Sequence, residues 1–273
     1  MNTTTPTAAS RKYDLEIVTH CYAVTLPFYA AQLQFQVASL LYYCPRSFNV
    51  CCTVFTTHAD KLTLAFCNEA KVHVLQNLTI NCIALSPGSL YRRAVGRNIR
   101  ALANEANVYW FADVDYFFGQ GCIESLLNQV NADSGLVYPR HVQISPDHAA
   151  GDALTAGITQ QTKLFPFAKR DQFVQIEQKR CIGGLHIIGA NRLAATNPET
   201  GNAFGYINGH AKCRPVDAEQ GFAQCRCDIP FKSQHGPATQ IDIKSVFRIR
   251  HTTAGRAYDQ AGNRTQEMKG GHD

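Results

Sequence analysis

The sequence predicts an α/β domain on a mixed, mostly parallel sheet flanked by helices. Three observations point there. Apolar, β-branched runs alternate with segments of helical period. Over the first half of the chain the order is β-α-β-β-α-β-α-β, the pattern of a largely parallel sheet. One run, VYWFADVDYFFGQG at 108–121, places two carboxylates one residue apart amid aromatic sequence. Ligands of such sheets bind beyond the carboxyl ends of the strands.

The elements follow in order. LEIVTHCYAV (15–24) reads as a first, mostly buried strand. Thr25 then caps a helix with Pro27 in its first turn, and Leu26, Ala30, Leu33, Val37, Leu40 and Leu41 share its apolar face until Pro45 stops it. FNVCCTVFTTH (48–58) is a second strand and AKVHVLQNLTI (70–80) a third, before a turn at Pro87-Gly88. In the helix at 92–107, Val95, Ile99, Leu102 and Ala106 form an apolar face, with Arg93, Arg97 and Arg100 opposite. The acidic strand follows it. Ile123, Leu126, Leu127 and Val130 then stripe another helix, and SGLVYPRHVQI (134–144) is a further strand. Beyond it DHAAGDALTAG reads as a loop, and residues 172–197 as a strand, a Gly-Gly turn and a helical tail. Together these make a single Rossmann-like domain.

Composition sets bounds on function. The chain has 273 residues, 45% hydrophobic and 17% charged, ordinary for a globular protein. No apolar run reaches the ~20 residues of a membrane span, since Gln32, Gln34 and Gln36 interrupt the candidate at 21–44. The polar first dozen residues lack the apolar centre of a secretory signal, so a cytoplasmic protein is expected. Its eleven cysteines are then expected as free thiols, among them Cys21, Cys51, Cys52, Cys82 and Cys122 in apolar settings. Cys213, Cys225 and Cys227, with His210 or His235, lack the paired spacing of a zinc site. The net charge of +5 fits a polyanionic small ligand without calling for nucleic acid.

Period-2 geometry puts Asp113 and Asp115 on one face of their strand. Two carboxylates there make a hard oxygen site of the type Mg²⁺ and Mn²⁺ prefer.

With these segments in place, the chain resembles the nucleotide-sugar-dependent glycosyltransferases of the GT-A fold, closest to the bacterial inverting group, over about residues 13–255. The most specific match is RAVGRNIRALANEANVYWFADVDYFF, an Arg-Asn helix running into an Asp-x-Asp strand. The resemblance implies that Asp113 and Asp115 hold Mn²⁺ or Mg²⁺ with the ribose-diphosphate, and that His251 in VFRIRHTTAGR completes the metal shell. It places Thr19, His20, Thr57, Asp60, Arg93 and Arg97 along the nucleotide sugar, although THCYAV replaces the usual Pro-Thr-x-Asn at the end of the first strand. Gly183 and Gly184 in CIGGLHIIGANR match a glycine-rich segment near the acceptor. The base is expected in PVDAEQGFAQ, as Glu219 or else Asp217, with Gln220 where the family carries an Asp.

On this reading residues 13–145 form the nucleotide-binding half and 146–255 the acceptor-binding half, with flexible tails at 1–12 and 256–273. The expected reaction moves a sugar from a nucleotide-diphosphate sugar to a carbohydrate or other hydroxyl acceptor. Two alternatives stay open. A nucleotidyltransferase would carry a glycine-rich, basic loop after the first strand, which THCYAVTLPF lacks. A catalytically silent sugar-nucleotide-binding protein fits the Gln at position 220.

Overall fold

A computed structural model describes residues 11–24, 27–74, 76–90, 93–160, 166–194 and 228–250. At its centre lie four parallel strands: β1 (Tyr13–His20), β2 (Val50–Thr57), β3 (Leu78–Leu85) and β4 (Ala106–Ala112), in the order β3-β2-β1-β4. Their β-branched, cysteine and aromatic residues suit the pleated surface of a covered sheet, and β1, β2 and β4 are buried almost throughout. Beyond β4 the sheet continues through β9 (Leu185–Gly189), antiparallel to both neighbours, to β6 (Val137–Pro139) and β10 (Thr239–Ile241). The result is the mixed, mostly parallel, Rossmann-like sheet that the element order implies.

A second sheet of four short strands stands beside it. Its order is β5 (Tyr116–Phe118), β11 (Val246–Arg248), β7 (His141–Ile144) and β8 (Val174–Glu177). Helix α1 (Phe28–Tyr43) is wedged between the two sheets. Leu33, Val37 and Leu40 enter the main core, and Ala31 and Phe35 join Phe117, Ile158, Phe173, Phe247 and Ile249 in a smaller one. Burial on both sides explains a helix apolar nearly all round. Burying each such large side chain contributes about 1.5–3 kcal/mol.

Several expectations are corrected. The segment read as a third strand at 70–80 is divided between helix α2 (Lys61–Val72) and β3. Thr63, Phe66, Cys67 and Ala70, at helical spacing, are the buried residues of α2, and Asp60 caps it by accepting from the Thr63 amide at 3.0 Å. The segment read as one strand at 134–144 breaks at Arg140, just after Pro139, which cannot donate to a ladder, and β6 and β7 enter different sheets. The expected loop at 147–157 falls in helix α6 (His148–Gln160), begun by the Asp147 carboxylate accepting from the Ala150 amide at 2.7 Å. Its Gly151 has a packing reason: a Cβ there would stand 1.5 Å from the Arg250 carbonyl oxygen. Among the described residues the remaining α-helices are α3 (Pro87–Leu90), α4 (Arg93–Ala103), α5 (Cys122–Leu127), α7 (Ala190–Ala194) and α8 (Asp228–His235).

Among the described residues no helix is long and apolar enough to cross a membrane. Eight cysteines are described, all free thiols. Thr25, Cys213, Cys225, Cys227, His210, Asp217, Glu219, Gln220 and His251 lie outside the described residues.

Candidate functional site

The chain passes from β1 through β2 to β3 on one side, then returns through α4 to β4 on the other side of β1. The strand order therefore reverses between β1 and β4, and such a switch point leaves a crevice beyond the carboxyl ends of the strands. His20 ends β1 there, and Asp113 follows β4, each two residues past the paired Val18 and Phe111.

The two acids do not sit on a strand face. β4 ends at Ala112, and Asp113, Val114 and Asp115 form a tight turn closed by the Tyr116 amide donating to the Asp113 carbonyl at 3.1 Å. Buried Gln36 of α1 holds this turn from below, its Nε2 donating to the carbonyls of Asp113 (3.1 Å) and Tyr116 (2.8 Å). The three glutamines that interrupt the apolar run of α1 were thus the available signal for a polar anchor in the core.

Each acid has its own cations. Arg93 Nη1 and, at 3.3 Å, Arg97 Nη2 both donate to Asp113 Oδ1. Arg248 Nε, from the last residue of β11, donates to Asp115 Oδ2 at 2.8 Å, with its guanidinium over the Tyr116 ring. The Asp115 side chain is 9% exposed, against 32% for Asp113. Burial pushes the Asp115 carboxyl above its ordinary pKa, with Arg248 acting in the opposite direction. Sequence reading missed Arg248; the signal was the basic strand VFRIRH, from which only His251 was drawn.

Helix α4 packs the opposite way round from the expectation. Arg97 is fully buried and Arg100 nearly so, whereas Ile99 is 39% and Leu102 63% exposed. The sheet below α4 carries buried acid, and that decides which face turns inward. Arg100 makes a two-point ion pair with fully buried Glu16 of β1, at 2.6 and 3.2 Å, while Thr53 donates to the same carboxylate at 2.6 Å. Arg93, Arg97 and Arg100 share one helical face, so this anchor also aims Arg93 and Arg97 at Asp113. Gly96 lets the helix approach, because a Cβ there would lie 2.4 Å from His20 Nε2.

The Gly-Gly turn joins the same cluster. The Gly183 carbonyl accepts from Arg97 Nη2 at 3.0 Å, and the Gly184 carbonyl from Trp110 Nε1 at 3.3 Å. A Cβ on Gly184 would lie 3.0 Å from Asp113 Cγ and 2.6 Å from the Tyr116 ring. The segment leads into strand β9, with helix α7 only afterwards, where the sequence suggested a helix alone.

Thr19, His20 and Thr57 are buried at the ends of β1 and β2. The hydroxyls of both threonines and both ring nitrogens of His20 find no hydrogen-bond partner among the described residues. Buried polar atoms of this kind call for a water or a ligand. Burial, reinforced by Arg97 and Arg93, holds the His20 pKa well below its ordinary value, so the ring is neutral at pH 7. Asp60 is used structurally: Oδ1 caps α2 and Oδ2 accepts from Thr56 at 3.0 Å.

The donor set admits a divalent cation at one point. Asp115 Oδ1 is buried without a hydrogen-bond partner among the described residues, and a carboxylate oxygen is what a hard cation takes. No cluster of three or more His, Cys, Asp or Glu side chains suited to a metal exists among the described residues. A cleft of about 540 Å³, lined by Tyr42, Tyr43, Phe117, Phe167, Arg170 and Phe247 among others, does not include the acid turn.

No protein-family model matches the chain, nor does any curated protein. Among solved structures it is similar to crystal structures of S. aureus TarS: the longer chain (9% identity, TM-score 0.43, covering 86% of this chain and 36% of that one) and its 1–349 portion (9% identity, TM-score 0.45, 88% and 60%). The 1–349 portion in complex with UDP-GlcNAc aligns similarly (9% identity, TM-score 0.45, 86% and 58%). This chain thus spans between about a third and three fifths of the length of those it matches. At 9% identity and TM-scores of 0.43–0.45, no statement about this chain rests on that likeness, and the acid turn with its arginines carries the functional reading.

Proposed function

We propose that this chain is a metal-dependent glycosyltransferase of the GT-A fold, moving a hexose-like sugar from a nucleotide-diphosphate sugar to a hydroxyl acceptor with inversion, in glycan or polysaccharide synthesis. The observation that carries the proposal is the acid turn Asp113–Asp115 at the switch point, packed against Arg93, Arg97 and the Gly183–Gly184 turn.

Residues take roles by position. Thr19, His20 and Thr57 present unsatisfied polar atoms to base and ribose, and Asp60 shapes that wall as the cap of α2. Arg93 and Arg97 bring positive charge to the diphosphate. Asp113, Asp115 and His251 would hold Mn²⁺ or Mg²⁺, which when bound supplies charge that stabilises the departing diphosphate. The described residues that precede His251 in sequence are tied to this region: the Ile249 amide donates to the Asp115 carbonyl at 2.9 Å, and the Arg250 amide to Ser145 Oγ at 2.8 Å. The acceptor hydroxyl gives its proton to Glu219, or to Asp217, and attacks the anomeric carbon opposite the breaking bond to phosphate. The nucleoside diphosphate leaves and the new glycosidic bond forms.

The test is a thermal-shift panel of nucleoside diphosphates and nucleotide sugars, UDP and UDP-GlcNAc included, with and without Mn²⁺. A ligand of the folded state raises its stability by mass action. Wild type is expected to show a Mn²⁺-dependent shift that Asp115→Asn abolishes while remaining folded. A full shift in Asp115→Asn overturns the metal assignment. Glu219→Gln is expected to bind donor normally and to lose about 10²–10⁴-fold in transfer rate. Binding without transfer or donor hydrolysis in wild type makes the chain a silent sugar-nucleotide binder.

A further inference from the structure

We propose that Arg248 is the resident counter-ion of Asp115: it competes with the divalent cation for that carboxylate and turns to the diphosphate once the cation is bound. This rests on the metal site proposed above. The argument begins with burial. A buried carboxylate needs a compensating charge, and the described cation touching Asp115 is Arg248, at 2.8 Å from Oδ2. Oδ1 of the same carboxylate stays without a hydrogen-bond partner among the described residues. A dication arriving at Oδ1 therefore meets a guanidinium on the neighbouring oxygen, and like charges at such range oppose one another.

The two acids differ in how firmly their arginines are held. Arg97, on Asp113, is fully buried and also bonded to the Gly183 carbonyl. Arg248 closes a three-residue strand, and its side chain is 32% exposed. It engages Asp115 through Nε, and the terminal fork of a guanidinium suits phosphate oxygens in pairs. A pivot about the Tyr116 ring, on which it already rests, keeps it beside the acid turn. Metal and diphosphate then bind cooperatively, because each favours the state in which Arg248 has left Asp115.

The experiment is a Mn²⁺ titration followed by quenching of Trp110, the single tryptophan, whose Nε1 bonds to the Gly184 carbonyl against the acid turn. Arg248→Met is expected to bind Mn²⁺ alone about tenfold tighter than wild type, equivalent to about 1.4 kcal/mol. Arg248→Lys, which keeps the charge, is expected to stay near wild type. Saturating inorganic pyrophosphate is expected to tighten Mn²⁺ binding in wild type more than in Arg248→Met. Arg248→Gln serves the same comparison if the Met variant does not fold. Equal or weaker Mn²⁺ affinity in the neutral variant overturns the role of Arg248 and leaves the metal site standing. Absence of Mn²⁺ binding in every form overturns both.

Discussion

His20 is buried between Phe55 and Gly96 with neither ring nitrogen hydrogen-bonded among the described residues. Burial first, then Arg97 and Arg93, depress its pKa well below the ordinary value. The consequence for stability has a definite sign. Above about pH 6.5, the usual histidine value, both folded and unfolded states carry a neutral ring. Below it the unfolded chain takes up a proton that the folded state refuses, so stability falls as pH drops from about 6.5 toward the depressed folded pKa. The loss is up to about 1.4 kcal/mol per pH unit from this one group. Urea titrations from pH 7.5 to 5 are expected to show this slope in wild type and a shallower one in His20→Gln, which cannot titrate. Equal slopes in the two proteins would mean that the ring is not held neutral.

Helix α4 shows why amphipathic pattern and burial can part company. Its apolar stripe and its arginine stripe are both regular, and periodicity alone favours the apolar one as the inward face. The acids of β1 and of the turn after β4 reverse that choice, since a carboxylate left buried without a partner costs more than an apolar side chain left in water. Substitution measures the difference. Arg100→Met leaves Glu16 uncompensated and is expected to destabilise the protein by about 3–5 kcal/mol. Leu102→Gln, on the exposed side, is expected to change stability by no more than about 0.5 kcal/mol. Denaturant midpoints in the reverse order would restore the apolar face as the packed one. Because Arg100 fixes α4 on β1, its loss is also expected to weaken nucleotide binding through Arg93 and Arg97.

At the scale of the whole molecule, the described cysteines behave as small apolar residues. Burial pushes the thiols of Cys21 and Cys51 up to about 12 and that of Cys44 up to about 11, so few are thiolate near neutrality. Cys82 is the exception: a hydrogen bond from Cys67 lowers its pKa, and it is only partly buried. Mass mapping of native protein treated with a thiol reagent at pH 7.5 is expected to find Cys82 modified before Cys21, Cys44, Cys51 or Cys122. Unfolding without reductant is expected to release all eleven thiols. Early labelling of Cys21, or fewer than eleven, contradicts this picture.

What the sequence determined by itself was local in origin. β-branched runs, helical spacing and turn residues sufficed for the α/β class, for β1, β2 and β4, and for α1, because each run carries its own period. The acid pair was legible for the same reason: two carboxylates inside VYWFADVDYFF need partners wherever the chain folds. The tertiary structure alone decided which partners. Arg248 stands 133 residues from Asp115 and Gln36 stands 77 from Asp113, separations that no local pattern encodes. It also decided that α4 turns its arginines inward, and that 134–144 serves two sheets. In both cases the outcome depends on what lies opposite, a buried carboxylate in one and a second sheet in the other, and that neighbour exists only once the chain has closed on itself.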